Sequence, residues 1–240
     1  MKRRLDRLVV ERGLAESREK AQALIMAGEV RINGQKALKP GQPVADDAAI
    51  EVLSRPPYVS RGGFKLAGAL THWNIAVAGE VCVDIGSSTG GFTDVLLQAG
   101  AARVHAVDVG AGQLDWKLRT DPRVVVHEGI NARDLTPEEI GEPAGFVCCD
   151  VSFISATMIV GPARALLRPG GRMVILVKPQ FEVGKGQVGK GGIVRDPELH
   201  RAACERVERA VRELDFQTEL TESPIAGAEG NKEFLLYAHH

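Results

Sequence analysis

The stretch Asp84-Ile85-Gly86-Ser87-Ser88-Thr89-Gly90-Gly91-Phe92 constrains this chain more than any other. It follows an apolar run, Val81-Cys82-Val83, and precedes a helical pattern over 93–98 that Gly100 can stop. Glycines at such a strand-to-helix turn let the backbone bend sharply and approach a ligand closely. The loop is not the dinucleotide G-x-G-x-x-G, because Ser88 stands at its second glycine, and no Gly-Lys-Ser/Thr ends it as in a Walker A loop. Beyond it, apolar runs at 103–107, 124–126, 146–149 and 173–177 read as strands, with helices over 158–167 and 197–214 and final strands at 216–220 and 234–237. Such alternation implies an α/β fold with a mostly parallel sheet covered on both faces. Ligands bind such sheets beyond the carboxyl ends of the strands. Gly86, Ser87, Thr89, Gly90, Gly91 and Phe92 are therefore candidates for a cofactor cradle, Asp84 for the cationic end of the ligand and Asp108 for its ribose hydroxyls. The loop has no basic residue to neutralise a phosphate, so a nucleoside without phosphates fits better.

The first 53 residues read as a separate small α+β domain. Leu5, Leu8 and Val9 repeat at helical spacing; Ser17 can cap a second helix, with Ala21, Leu24 and Ile25 on one face and Gly28 as its stop. Asn33-Gly34 marks a two-residue hairpin turn between Val30-Arg31-Ile32 and a return strand at 36–39, and 49–53 reads as a last strand. The whole chain is nearly neutral, at −1, yet residues 1–39 hold ten basic and five acidic side chains. A basic module joined to an acidic remainder suggests a polyanion partner. Arg3, Arg4, Arg18 and Lys20 are candidate phosphate contacts, which Lys2 and Arg7 can extend. Ser54-Arg55-Pro56-Pro57 stiffens the chain, so 54–59 reads as a linker and 60–240 as the second domain.

The Asp-x-Gly-x-x-x-Gly-Gly-Phe loop, with the acid after the next strand, resembles the class I S-adenosylmethionine-dependent methyltransferases. That resemblance implies a Rossmann-like, seven-stranded sheet whose last strand runs antiparallel, and it places Asp134 near the adenine. Lys65 follows Ser60-Arg61-Gly62-Gly63-Phe64, Asp150 and Lys178 end the fourth and fifth strands, and Glu233 begins the last. An antiparallel last strand would bring all four to one edge. These residues resemble the Lys-Asp-Lys-Glu tetrad of FtsJ-like ribose 2′-O-methyltransferases. Together with Cys149-Asp150-Val151-Ser152-Phe153-Ile154-Ser155 and Val177-Lys178-Pro179-Gln180-Phe181-Glu182, they make the whole chain similar to the hemolysin A (TlyA) family. Its N-terminal module is similar to the RNA-binding fold of a ribosomal protein. The resemblance implies methylation of cytidine riboses in ribosomal RNA.

The tetrad's residue types suit that chemistry. A deprotonated Lys178 would accept the hydroxyl proton, whereas a charged one would stabilise the developing alkoxide. Asp150 and Glu233 would orient the two ammonium groups. Arg61 would hold substrate near the tetrad, and Lys185 and Lys190 would ride on a mobile flap, the glycine-rich segment 184–192. Phe153 and Phe181 read as packing residues. The four cysteines include no C-x-x-C pair, which excludes a zinc or redox motif of that kind and suits a reducing compartment. No metal is expected. No apolar stretch reaches the ~20 residues of a membrane span, and the N-terminus lacks a secretory core, so a soluble, cytoplasmic protein partnered by ribosomal RNA or ribosomal subunits is expected. Two other classes remain open: a non-catalytic RNA-binding assembly factor and a membrane-acting hemolysin.

Overall fold

The structure of the chain, a computed structural model, describes residues 2–53, 57–227 and 229–240. Residues 54–56 of the expected linker lie outside the described residues, as does the side chain of Lys185. Packing divides the chain into two units, Met1–Pro57 and Tyr58–His240.

The first unit begins with strand β1 (Lys2–Arg4) and helix α1 (Leu5–Glu11), followed by α2 (Arg18–Ala27), β2 (Val30–Ile32), β3 (Gln35–Lys36), β4 (Pro43–Ala45) and β5 (Ile50–Val52). Leu5, Leu8 and Val9 of α1 meet Ala21 and Ile25 of α2 in its core, as their spacing predicts. Ser17 Oγ accepts from Lys20 N at 3.2 Å to start α2, and Gly28, at φ +76°, ends it. Asn33 and Gly34 both take positive φ, +49° and +79°, the conformation a two-residue hairpin between β2 and β3 requires. The return strand is shorter than expected. Gln42 Oε1 accepts from Leu38 N at 3.4 Å and Lys39 N at 3.3 Å, drawing 38–42 into a turn where 36–39 was read as strand. The antiparallel pair β1–β4 was not foreseen, since arginines dominate β1 and no apolar alternation marks it.

The second unit opens with α3 (Gly62–His72). After it come β6 (Val81–Ile85), α4 (Gly91–Gln98), β7 (Arg103–Asp108), α5 (Trp116–Arg119), β8 (Val124–Glu128), α6 (Pro137–Ile140), β9 (Ala144–Cys149), α7 (Val160–Ala165), β10 (Leu167–Val177), α8 (Pro179–Glu182), α9 (Pro197–Arg212), β11 (Gln217–Glu222) and β12 (Phe234–His239). Seven strands form one sheet in the order β11-β12-β10-β9-β6-β7-β8. The strands from β10 to β8 run parallel, and β12 is inserted antiparallel between β10 and β11. Alternate residues divide the core by face. Val83, Ile85, Val147, Cys149, Ile175 and Val177 pack in the cluster that holds α7 and α9 residues; Cys82, Phe146, Cys148, Val174 and Leu176 pack in the one that holds α3 and α4 residues.

The expected 158–167 helix is instead a 3-10 turn, Ala156–Met158, followed by α7. Pro162 supplies no N–H to continue a helix from that turn, which explains the break. The Pro169-Gly170-Gly171 stop lies within β10, where the pairing with β9 shifts register between Leu167 and Arg172.

Candidate active site

Strand β6 ends at Ile85, and the glycine loop turns from there under tight backbone control. Gly86 N and Ser87 N both donate to Val107 O, at 2.8 and 3.1 Å. Gly86 sits at φ +85°, and a Cβ on it would stand 2.6 Å from the Asp150 carbonyl, so only glycine fits. Gly90, at φ +95°, caps α4. Gly91 also has no room for a side chain, because the start of α3 packs there: a Cβ would lie 2.9 Å from Gly63 N. The loop that would cradle a ligand is thus pressed against the helix that carries Lys65.

The two loop-associated acids have different surroundings. Asp108 Oδ2 accepts from Ser88 N and Oδ1 from Gly110 N, each at 2.7 Å, at the carboxyl end of β7. Asp84 is fully buried. It shares a sheet face with Cys82, so its carboxylate turns toward α4 and accepts from Thr93 N at 2.9 Å and Thr93 Oγ1 at 2.7 Å. Its carboxylate thus anchors the start of α4 rather than facing a ligand, as the sequence reading had it. Burial pushes the Asp84 carboxyl up to about 7 against the Thr93 hydrogen bonds, and the Asp150 charge adds to the rise. With the folded value above that of an unfolded aspartate, the native state holds an extra proton between the two. Stability contributed by Asp84 is then full below about pH 4 and is lost as pH rises through about 7. In chemical denaturation across that interval, wild type is expected to lose stability relative to Asp84→Asn; parallel curves would contradict the burial effect.

A cavity of 660 Å³ opens beyond the strand ends, lined by Gly86, Val107, Asp108, Ile130, Asn131 and Met158 among others. Its size and mixed apolar and polar wall suit a nucleoside, and Asp108 lies on that wall. A smaller one of 190 Å³ shares Gly86, Ser88, Asp150 and Ser152 with it and adds Ser60, Ser87, Thr89, Gly91, Phe92 and Lys178. Asp134 lines neither; it is exposed in a turn, its N–H on Asn131 O at 2.9 Å. Asn131, Ala132 and Arg133 form the wall where Asp134 was expected. No periodicity singles out these loop residues.

The four tetrad candidates form two ion pairs. Lys178 Nζ lies 2.6 Å from Asp150 Oδ1 and donates to Ser152 Oγ at 2.7 Å. Lys65 Nζ lies 2.6 Å from Glu233 Oε2. Lys65, Lys178 and Glu233 are buried, and Asp150 is partly exposed. Both carboxylate oxygens meet their lysine by charge and proximity rather than along an aligned hydrogen bond. Asp150 and Lys178 directly follow β9 and β10, and Glu233 directly precedes the antiparallel β12, so all three stand at the carboxyl edge of the parallel strands. Gly227 leaves room for Glu233, since a Cβ there would stand 2.5 Å from Oε1. Removing one partner of such a buried pair costs about 3–5 kcal/mol, because the other is left uncompensated.

Phe153 departs from its expected role in packing. It is 92% exposed, on the wall of the larger cavity, with the Phe181 ring 5.3 Å away between centroids. The glycine-rich segment read as a flap is tied at its far end: Asn231 Nδ2 donates to Gly192 O at 2.9 Å and Asn231 Oδ1 accepts from Val194 N at 3.0 Å. Lys190 and Arg61 are exposed.

In the first unit, Arg4 holds Asp6 in a two-pronged contact at 3.0 and 2.8 Å, and Arg18 Nε adds a third bond at 2.9 Å. Asp6 has no exposed surface, and Arg4, Gln22 and Arg18 hold its carboxyl well below the usual range despite that burial. Both arginines keep nearly half their side-chain surface in solvent. Arg3 pairs with Glu11 and Asp46, and Lys20 with Glu16. Among the described residues, no His/Cys/Asp/Glu group could hold a metal ion, and no helix is long and apolar enough to cross a membrane.

Residues 58–240 match the FtsJ-like methyltransferase family, and residues 3–50 match the S4 domain. The chain is 51% identical over 237 residues to a 16S/23S rRNA (cytidine-2′-O)-methyltransferase TlyA of Mycobacterium tuberculosis, covering 98% of this chain and 88% of that one. It is 44% identical to Hemolysin A of Brachyspira hyodysenteriae, with 98% of each covered. A solved chain from Streptococcus thermophilus, provisionally described as a hemolysin, superposes with a TM-score of 0.76 at 44% identity, covering 99% of this chain and 88% of its own length.

Proposed function

Because the chain belongs to the FtsJ-like methyltransferase family, with an S4 domain ahead of its catalytic unit, we propose that it transfers a methyl group from S-adenosylmethionine to a ribose 2′-hydroxyl of ribosomal RNA, at cytidine. The observation that carries this reading is the pair of buried lysine–carboxylate contacts at the sheet edge, one of them on the wall of the smaller cavity. The expected division, 1–53 for RNA binding, 54–59 as linker and 60–240 for methyl transfer, then has its catalytic part beginning two residues earlier, at Tyr58. The relatives named for ribosomal RNA methylation support the substrate, and such a substrate would suit a cytoplasmic protein.

The cavities fit the methyl donor. Gly86, Ser88 and Asp108 would hold its nucleoside against the apolar wall, and Ser87, Thr89 and Gly91 would border its amino-acid end. S-adenosylmethionine supplies an electrophilic methyl group on a sulfonium. The remaining chemistry belongs to the chain's own side chains. Lys178, fixed by Asp150 and Ser152 on the wall of the smaller cavity, would take the hydroxyl proton or balance the charge left on oxygen. Lys65, held by Glu233, would supply the tetrad's second ammonium group. Phe153 offers an exposed ring beside the cavity, on which an unstacked base can lie. Much of the rate then comes from positioning.

Arg4 and Arg18 would grip RNA phosphates, with Asp6 fixing their direction. Arg4→Ala or Arg18→Ala should weaken binding and lower the slope of log affinity against log salt by about 1. An unchanged slope would remove that arginine from the phosphate contacts. The reaction is tested by incubating protein and labelled donor with ribosomes, separated subunits and naked RNA, then digesting to nucleosides. Label in 2′-O-methylcytidine is expected. Label in a methylated base would reject ribose chemistry, and no transfer alongside tight RNA binding would favour an assembly factor. The hemolysin name borne by one relative makes leakage from liposomes the matching control, run without donor or RNA.

A further inference from the structure

Phe153 has φ +63°, the left-handed region that a bulky side chain enters only under constraint. Its ring gains no burial in return, at 92% exposed. The constraint comes from α8 and the residue before it. Lys178 donates to Ser152 Oγ on one side of Phe153. Phe181 lies beside its ring, tilted by 51°. Glu182 closes the other side: its Oε2 accepts from Ser155 Oγ at 2.6 Å and its Oε1 from Ala156 N at 2.7 Å. Glu182 is 4% exposed, and these two contacts are hydrogen bonds from neutral donors. Packing alone does not call for a carboxylate here, since burying a charge is costly. A two-oxygen acceptor that fastens a hydroxyl and a backbone N–H to one point does call for it.

We propose that Glu182 is a positioning residue for the target nucleotide, holding the 151–155 loop in the strained shape that turns the Phe153 ring outward beside the cavity. The proposal rests on the methyl-transfer reading, in which that ring receives the base. Without the clamp, Phe153 relaxes toward negative φ and its ring leaves the mouth of the site. The 2′-hydroxyl is then no longer held in line with the methyl group, although RNA and donor still bind.

The test is a double-mutant cycle in the full chain, with donor and the ribosomal RNA substrate saturating. Phe153→Ala and Glu182→Ala are each expected to lower kcat between about tenfold and about a hundredfold, the range of a misplaced substrate. The double variant should lose no more than the larger single loss, because both changes remove one function. Donor affinity should be unchanged in all three. Ser155→Ala, which deletes one donor to the clamp and leaves the other, should lower kcat less and show the same non-additivity; it keeps the test open should Glu182→Ala fail to fold. Multiplying losses, or full kcat in both Glu182→Ala and Ser155→Ala, would overturn the role of Glu182 while leaving ribose methylation intact. Full kcat in Phe153→Ala would remove the stacking platform and, with it, the role of its clamp. A wild-type chain that methylates no RNA would sink the underlying reading itself.

Discussion

Lys178→Ala is expected to lower kcat for methyl transfer by about a thousandfold or more, the scale on which proton transfer and charge stabilisation operate together, while the methyl donor still binds. The geometry separates the chemistry from the nucleoside end of the donor, although Lys178 also lines the smaller cavity. Lys178 Nζ meets Asp150 Oδ1 at 2.6 Å and Ser152 Oγ at 2.7 Å, at the end of β10. Asp108 and the 130–132 wall belong to the larger cavity, which Lys178 does not line. Calorimetric titration of the variant with S-adenosylhomocysteine, beside a single-turnover assay, measures both. Wild-type turnover would refute the assignment, and loss of both activities together would make Lys178 a residue of the fold. Lys178→Arg separates the two chemical roles. A guanidinium keeps the charge but does not give up its proton. Residual activity in the arginine variant therefore indicates charge stabilisation, and none indicates proton transfer.

Gly86→Ala should abolish donor binding, raising Kd by about a hundredfold or more, equivalent to about 3 kcal/mol. Two costs combine there. The residue sits at φ +85°, and the added Cβ would stand 2.6 Å from Asp150 O and 2.9 Å from Asp150 C. Both neighbours are backbone, so the glycine loop or the end of β9 has to move, and each lines the cavities. Gly79→Ala isolates the first cost. Its φ is +75° but nothing lies within 4 Å of the added atom, so a loss of stability of about 1–2 kcal/mol with unchanged donor affinity is expected. Equal effects of the two variants on donor binding would mean that the contact with Asp150 is irrelevant to the site.

Three of the four tetrad candidates were conspicuous in the sequence because they flank strands, where sheet topology brings them to one edge; Lys65, on α3, came from the family resemblance. Asp150 and Lys178 each follow an apolar run, and Glu233 precedes one. What the sequence could not supply was their pairing, Lys65 with Glu233 and Lys178 with Asp150, which depends on how α3 lies against the glycine loop. Ser17, Gly28 and Asn33-Gly34 were readable because capping and turn chemistry are local. Asp84 shows the limit of reading a motif. Its place beside the loop suggested a ligand contact, but strand alternation puts it on the face of Cys82, under α4, where Thr93 N and Oγ1 and Cys148 Sγ donate to it. Phe153 was misread because an aromatic residue among apolar neighbours ordinarily packs; its positive φ is imposed by Glu182 and Lys178, residues well downstream. Helices α5, α6 and α8 span four residues each, too short for any 3.6-residue period to register. The β1–β4 pair lies among arginines, where nothing apolar marks a strand.

A crystal structure of the full chain with S-adenosylhomocysteine tests the site directly. The adenosine is expected in the larger cavity, its ribose hydroxyls on Asp108, with the sulfur directed toward Asp150 and Lys178. A ligand whose sulfur faces away from that pair, or that binds outside the glycine loop, would contradict the account.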